Sequence, residues 1–196
     1  MLSITAVIYF GETMAKKIIT REQLVQAACE LVSELGMDGL NMRDLAKRCN
    51  CSTQPIYLSF ANADELKCEV SKEIVARYNQ YIFDEIASNK YPEYKATGMA
   101  YIRFAKEQPQ YFKYLFMRDR SHENVSEMAT EFEREADRMT QYGINHDKAI
   151  SIHTHMWVYV HGIATMYATG YLNWDWDTVS DLLTEMFMGI ITRYKH

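Results

Sequence analysis

The sequence is poor in residues that interrupt helices, and it contains no long apolar segment. Only eight glycines and three prolines occur among 196 residues, while 48% of the residues are hydrophobic. The longest uninterrupted apolar run, residues 6–10, is far shorter than the ~20 residues that a membrane-spanning helix requires. The composition therefore excludes a transmembrane protein, and its apolar content excludes an intrinsically disordered one. We expect one or two small domains with a buried core.

An excess of positive charge is also absent. The 21 lysines and arginines are outnumbered by 26 aspartates and glutamates, so that the formal net charge is −5. Taken alone, this balance argues against a nucleic acid as the partner, because surfaces that bind DNA are basic.

Signs of secretion, metal binding and catalysis are equally scarce. The four cysteines, at positions 29, 49, 51 and 68, are not needed as disulfides in a chain with an ample core, and no secretory signal is visible. We therefore expect a cytoplasmic protein with free thiols and no cofactor. Cys49 and Cys51 could form a metal or redox site, although such cysteines commonly act as small apolar core residues. No nucleophile–base spacing, phosphate-binding glycine loop or pair of carboxylates points to an enzyme.

Residues 1–13 differ from the rest of the chain. They are rich in β-branched and aromatic residues, whereas the following sequence has a helical period. We interpret residues 1–13 as an upstream extension or a cloning artefact, and Met14 as a more natural start.

From Thr20 onward, apolar residues recur at intervals of three and four, and no strand-like alternation appears. Thr20 with Gln23, and Asn62 with Glu65, are capping boxes that mark helix starts. Gly36 is typical of a helix end. The pattern predicts an all-α chain of about nine helices. Their expected starts are Thr20, Asn41, Ser52, Asn62, Pro92, Pro109, Asn124, Asn145 and Asp177.

Two short predicted helices, at 41–49 and 52–60, have the dimensions of a helix-turn-helix. Asn50 lies in the turn between them, where a left-handed backbone is expected and asparagine tolerates it well. Ser52 is expected to cap the second helix, which places Thr53, Gln54 and Tyr57 outward near its start. A glutamine can bind adenine, a threonine methyl can contact thymine, and a tyrosine hydroxyl suits a phosphate. The spacing alone is also compatible with a helical hairpin inside a larger bundle.

The segment from Met42 to Leu66 resembles the DNA-binding domain of the TetR family, and the resemblance extends over about residues 17–70. The inner apolar positions, the turn, Ile56, Tyr57 and Phe60 all lie in register. The resemblance implies a dimeric transcriptional regulator, usually a repressor that leaves its operator when a small ligand binds its C-terminal domain. It implies a DNA-binding domain at 14–66 and a ligand-binding and dimerisation domain at 67–196. The implied DNA contacts are Lys17, Asn41, Arg43, Ser52, Thr53, Gln54, Tyr57 and Lys67.

One departure from the family pattern affects the expected DNA affinity. Ala63 stands where the family has a lysine that contacts phosphate. We therefore expect the phosphate contacts to come from basic residues that flank the second helix of the helix-turn-helix, such as Lys47. The local field rather than the net charge governs such contacts, and we expect modest non-specific affinity and a shallow salt dependence. The alternative is a dimeric helical scaffold or protein-binding module whose DNA affinity is weak or lost.

The C-terminal part is dense in aromatic residues, which indicates either a core or a small-molecule cavity. Trp157 and His161 share one helical face, and the segment from Trp157 to Gly162 resembles a W…HG motif found in a subset of TetR-like C-terminal domains. We predict a cavity for a small apolar or aromatic effector. Its predicted wall is Tyr101, Phe104, Phe116, Met156, Trp157 and His161.

The four histidines at 146, 153, 155 and 161 do not form a convincing metal site, because their helix brings together two at most and zinc requires three or four ligands. We interpret them as core or cavity residues and predict no metal. The last two helices carry more apolar surface than one bundle can bury, which predicts a twofold homodimer. Its predicted interface contains Gly162, Leu183, Phe187, Ile190 and Ile191.

Overall fold

A computed structural model describes residues 19–119, 121, 125–140 and 143–194. Across these ranges the chain forms nine α-helices and no strand, which confirms the all-α prediction. The helices are α1 Arg21–Leu35, α2 Met42–Arg48, α3 Gln54–Ser59, α4 Ala63–Ala87, α5 Glu93–Glu107, α6 Pro109–Phe116, α7 Val125–Thr140, α8 His146–Ala168 and α9 Trp176–Tyr194. None of these helices is long and apolar enough to cross a membrane. The predicted extension at 1–13 and Lys17 lie outside the described residues.

Local capping explains where the longest N-terminal helices begin. Thr20 accepts a hydrogen bond from the Gln23 N–H and the Gln23 side chain accepts one from the Thr20 N–H, so the predicted capping box is present. At the start of α4, Asn62 accepts the Glu65 N–H, and the Glu65 carboxylate accepts the N–H of Ala61. The pair at Thr20 is therefore a complete capping box, whereas at Asn62 only the forward hydrogen bond of the predicted box forms, because the Glu65 carboxylate binds the N–H one residue before the N-cap.

Two predicted helix starts are corrected. Helix α3 begins at Gln54 rather than Ser52. Thr53 takes the N-cap position, because its carbonyl accepts the first hydrogen bonds of the helix, from the N–H groups of Ile56 and Tyr57. No side chain caps this helix. The last helix begins at Trp176, and the carboxylate of Asp175, rather than that of Asp177, accepts the Thr178 N–H at 2.7 Å.

Helices α1, α2 and α3 form a small three-helix unit around buried Leu24, Leu45, Ile56 and Phe60. Asn50, in the turn between α2 and α3, has a φ of 50°, which is the left-handed conformation predicted for it. The turn is closed by a hydrogen bond from the N–H of residue 51 to the carbonyl of residue 46. Cys49 and Cys51 pack against this core as apolar residues, and the described residues contain no cluster of three or more metal-binding side chains.

The C-terminal helices are arranged around α5, which packs against α4 on one side and α8 on another. Helix α7 covers α8, while α6 lies between α1 and α5. The buried face of α5 consists of small and large apolar residues, including Ala96, Met99, Ile102 and Phe104. Helix α4 runs without a break through the boundary predicted at residues 66 and 67, so both halves of the molecule share it.

Candidate functional site

The exposed face of α3 carries the side chains that the sequence placed on a recognition helix. Ile56 is fully buried and anchors the helix, whereas Ser52, Gln54 and Tyr57 are exposed and Thr53 is half-buried. Tyr57 exposes 58% of its surface, so its hydroxyl is accessible to a partner. The outward residues therefore form a continuous polar and aromatic surface at the start of α3.

The residues around α3 include fewer unpaired cations than the sequence suggested. Asn41 caps α2 through the Asp44 N–H, and Asp44 also accepts a hydrogen bond from Lys47 at 2.8 Å. Arg48 is paired with Glu30 and Glu34 on α1. The predicted contact residue Arg43 is exposed, and Lys67 on α4 is half-buried. Positive charge next to α3 is therefore sparse among the described residues.

Arg21 is a positioning residue that sequence reasoning missed. Its guanidinium lies 4.3 Å from the centre of the Phe60 ring and donates hydrogen bonds to the Ser59 carbonyl and to the Glu65 carboxylate. It thus joins the end of α3 to the first turns of α1 and α4. The partners lie 38 and 44 residues away in sequence, so no local pattern could have indicated the contact.

A cavity of about 900 Å³ lies among helices α4 to α9. Five of the six predicted wall residues line it: Tyr101, Phe116, Met156, Trp157 and His161. Phe104 does not, because its ring is turned towards α4, where it is fully buried 5.3 Å from the rings of both Tyr78 and Tyr81. Tyr78 itself reaches the cavity wall from α4.

Two tyrosine–histidine hydrogen bonds join α5 to α8 beside the cavity. The Tyr94 hydroxyl lies 2.9 Å from Nδ1 of His153, and the Tyr101 hydroxyl lies 2.8 Å from Nδ1 of His161. Burial lowers the pKa of His153 to about 4 and also lowers the pKa of His161. Both imidazoles are therefore neutral at pH 7, and burial likewise raises the pKa of the Tyr94 phenol, which stays protonated.

Aromatic rings continue this wall. The Trp157 indole is stacked on the His161 imidazole, with ring centres 5.5 Å apart and planes inclined by 15°. Phe132, from α7, lies edge-on to His153 at 4.7 Å and to Trp157 at 5.5 Å. Phe132 lines the cavity but was not among the predicted wall residues. This part of the wall is thus aromatic, with the tyrosine hydroxyls and the imidazoles as neutral polar groups.

Three residues predicted for the dimer interface line the cavity. Leu183, Phe187 and Ile191 line it from α9, and Leu183 is buried. Ile190 points to another face of α9, where it borders a shallow groove with Tyr159, Leu182, Met186 and Gly189. Gly162 lies on α8 with no atom within 4 Å of the position its Cβ would take. One side of α9 therefore borders the cavity, and another side borders the shallow groove, which no other described helix covers.

The remaining histidines have ordinary partners. Nε2 of His146 lies 3.0 Å from Glu133 and 3.5 Å from Asp137, and Nδ1 of His155 lies 2.7 Å from the Ser151 carbonyl. His146, His153 and His155 thus have separate neighbours. The interpretation as core or cavity residues holds for His153 and His161 and is wrong for His155, which is exposed, and for His146, which is half-buried outside the cavity wall.

Two hydrogen bonds, of which the second is buried, link the cavity helices to the three-helix unit. On α4, Arg77 donates a hydrogen bond of 2.7 Å to Gln26 of α1. On α6, the Tyr111 hydroxyl donates one of 2.7 Å to the Cys29 carbonyl of α1. Since Phe116, at the end of α6, lines the cavity, both α4 and α6 extend from the cavity to α1.

Acidification is expected to destabilise the protein through His153. The unfolded chain has the ordinary pKa near 6.5, whereas the folded chain has a pKa of about 4, so the unfolded state binds a proton first as the pH falls. Stability is therefore complete above pH 6.5 and falls towards pH 4, by up to about 3 kcal/mol from this group. Urea unfolding at pH 7, 5.5 and 4.5 should show a smaller loss for His153→Gln than for the native chain. Equal losses would contradict the assignment.

Comparison with known proteins identifies the family. A model described as "Tetracyclin repressor-like, C-terminal domain" matches residues 94–189, and one described as "Bacterial regulatory proteins, tetR family" matches residues 24–70. The chain is 35% identical over 63 residues to the tetracycline repressor protein class D of Escherichia coli. It has the same identity to the class H protein of Photobacterium damsela subsp. piscicida. Each match covers 32% of this chain and 29% of the relative, so the chain matches less than a third of their length.

Solved structures share the fold over most of the chain. A TetR family protein from Vibrio parahaemolyticus has a TM-score of 0.59 at 18% identity, over 86% of this chain and 97% of that one. A TetR-like transcriptional regulator from Rhodococcus sp. RHA1 has a TM-score of 0.64 at 16% identity, over 86% of this chain and 93% of that one. The helix-turn-helix, the C-terminal helical domain and the two family models agree, and the chain belongs to the TetR family of transcriptional regulators.

Proposed function

We propose that the chain is a homodimeric repressor that binds a palindromic operator and leaves it when a small, largely apolar ligand occupies the cavity. One observation carries the proposal. Helix α4 contributes Tyr78 and Ile82 to the cavity wall, and its first turn is joined through Glu65 and Arg21 to the end of the recognition helix α3. A single rigid element therefore connects the ligand site to the DNA-binding surface.

The DNA contacts follow from the exposed face of α3. In the major groove, the amide of Gln54 can accept from and donate to adenine, and the hydroxyl of Tyr57 can donate to a phosphate. Thr53 offers a methyl group to thymine. Asn41 and Arg43, at the start of α2, lie where the first helix of such a motif crosses the DNA backbone.

A twofold dimer is expected through the uncovered outer face of α8 and α9. That face presents Tyr159, Leu182, Met186 and Ile190, and glycines at 162 and 189 permit close approach of a second copy. An interface formed by the same patch on both subunits is closed and symmetric. It would place two recognition helices about 34 Å apart, which is one turn of DNA, and so favour a palindromic site.

Release follows if the ligand prefers the arrangement that does not fit DNA. A ligand that contacts Tyr78 and Phe116 acts on α4 and α6, which hold α1 through Arg77 and Tyr111. A preference of a few kcal/mol for the arrangement that does not bind DNA is sufficient to shift the population.

Selection from a random library of double-stranded DNA, at low salt and with the purified chain, tests the proposal. We expect the selected sequences to share an inverted repeat with half-sites about 10 base pairs apart, bound by one dimer in a gel shift. Selection that enriches no common sequence would contradict the repressor function. It would favour the alternative of a dimeric scaffold or protein-binding module.

A further inference from the structure

We propose that the cavity is built for an amphipathic anion, in which a carboxylate binds at Lys95 and an apolar body fills the aromatic part. This inference rests on the proposed function, because it assigns a ligand chemistry to the same cavity. The amphipathic anion differs from a purely apolar ligand in that one of its ends carries a negative charge.

Lys95 is a cation in the cavity wall with neutral partners. Its Nζ donates hydrogen bonds to Ser180 Oγ at 2.7 Å and to Thr184 Oγ1 at 2.8 Å, and it lies 4.9 Å from the centre of the Tyr91 ring. Among the described residues, no carboxylate oxygen lies within 4.0 Å of Lys95 Nζ, the distance up to which an ion pair is assigned. An ammonium has three N–H donors, and the two hydroxyls take only two of them.

The other charged side chains of the wall do not neutralise Lys95. Glu135 lies 3.5 Å from the guanidinium of Arg138, which also contacts Glu93 at 3.0 Å. Lys148, at the opposite end of the α9 wall, donates to the Tyr194 carbonyl at 2.9 Å. Among the wall residues that the structure describes, the charged ones are thus two lysines and one glutamate, and that glutamate already has a cationic neighbour. The balance of the wall is positive.

The histidines of the cavity add no charge at pH 7, since burial keeps His153 and His161 neutral. Lys95 and Lys148 are each the third residue of their helices, α5 and α8, so each lies at the positive end of its own helix dipole. A cationic ligand is therefore disfavoured. A carboxylate gains a charge-assisted hydrogen bond, which is stronger than one between neutral groups.

The distance from Lys95 to the aromatic wall sets the shape of the ligand. Tyr101 lies six residues after Lys95 on α5, a separation of roughly 9 Å along the helix axis. A ligand whose acid group contacts Lys95 can therefore place its apolar part against Tyr101, Trp157 and His161. The cavity of about 900 Å³ is large enough for a long alkyl chain or a fused-ring body.

Fluorescence titration with a matched pair of probes tests the proposal on the full chain at pH 7. The anionic probe is 11-(dansylamino)undecanoic acid, and the neutral probe is its primary amide, which differs only in the acid group. We expect the native chain to bind the acid about tenfold more tightly than the amide, as one charge-assisted hydrogen bond provides. Lys95→Met should remove this preference and leave the amide affinity unchanged, whereas Lys95→Arg should keep the preference.

Lys90→Met is the matched control, because Lys90 also lies over the Tyr91 ring but does not line the cavity. It should keep the tenfold preference. Equal binding of acid and amide by the native chain would overturn the anion assignment and leave a repressor with a neutral ligand intact. Binding of neither probe would overturn both the anion assignment and the ligand cavity of the proposed function. The ratio of the acid affinity to the amide affinity on the native chain tests the proposal even if Lys95→Met fails to fold.

Discussion

Replacing Phe112 with Ala is expected to lower the free energy of unfolding by about 3–5 kcal/mol, which is the largest stability effect of the predictions made for this chain. Phe112 is fully buried on α6, and its ring packs within 5.2 Å of the Tyr101 ring and 5.1 Å of the Phe116 ring. It also lies 6.0 Å from the His161 imidazole. The truncated side chain leaves a void between α5, α6 and α8 that rigid neighbouring rings cannot fill.

Urea unfolding of Phe112→Ala and the native chain at pH 7 measures this loss. Phe83→Ala is a matched control, because Phe83 is also a helical phenylalanine but exposes 65% of its surface. We expect the control to change stability by less than about 0.5 kcal/mol. Similar losses for the two variants would show that Phe112 is not part of the core, and would contradict the packing described for α6.

The double replacement of Gln54 and Tyr57 with Ala is expected to weaken binding to the selected operator by about 100-fold. Each side chain is exposed on the outer face of α3, and a specific contact to a base edge or phosphate typically contributes about 1–3 kcal/mol. Neither side chain is buried, so the melting temperature and the dimer should be unchanged. Titration of a labelled operator in a gel shift measures the loss.

Tyr171→Ala is the control for this variant, since Tyr171 exposes 80% of its surface but lies beyond the end of α8. It should bind the operator like the native chain. Retention of native affinity by the double variant would place the DNA contacts elsewhere, and would favour the interpretation of the chain as a scaffold that has lost its DNA-binding role.

The sequence was most informative where structure is determined locally. The capping pairs at Thr20 and Asn62 involve residues three positions apart, and the turn at Asn50 requires only its own left-handed backbone, so all three could be predicted. The starts of α3 and α9 were displaced by one or two residues. At both starts the sequence contains two nearby residues of a type that can take the N-cap position. Which of the two takes it depends on backbone angles that the sequence pattern does not determine.

The cavity was predictable only where one helix carries neighbouring wall residues. Trp157 and His161 share a face of α8 and do stack, but Phe104 is turned away because the neighbours of α5 determine which of its faces meets the cavity. Tyr94 and His153 are 59 residues apart, and no spacing indicates their contact. The apolar stripe of α9 is broad, and the sequence does not indicate which of its residues face the cavity, as Leu183 does, and which lie on the outer face.

The two tyrosine–histidine pairs also restrict how the C-terminal domain can move. Both tyrosines lie on α5 and both histidines on α8, seven and eight residues apart, so the helices run parallel and are fastened at two levels about 11 Å apart. Sliding of one helix past the other by a full turn, about 5.4 Å, would break both hydrogen bonds at once. Helices α5 and α8 are therefore expected to move as one rigid unit. Distances between spectroscopic labels on these two helices should stay constant when ligand binds, while movement is concentrated where α4, α6, α7 and α9 contact this unit.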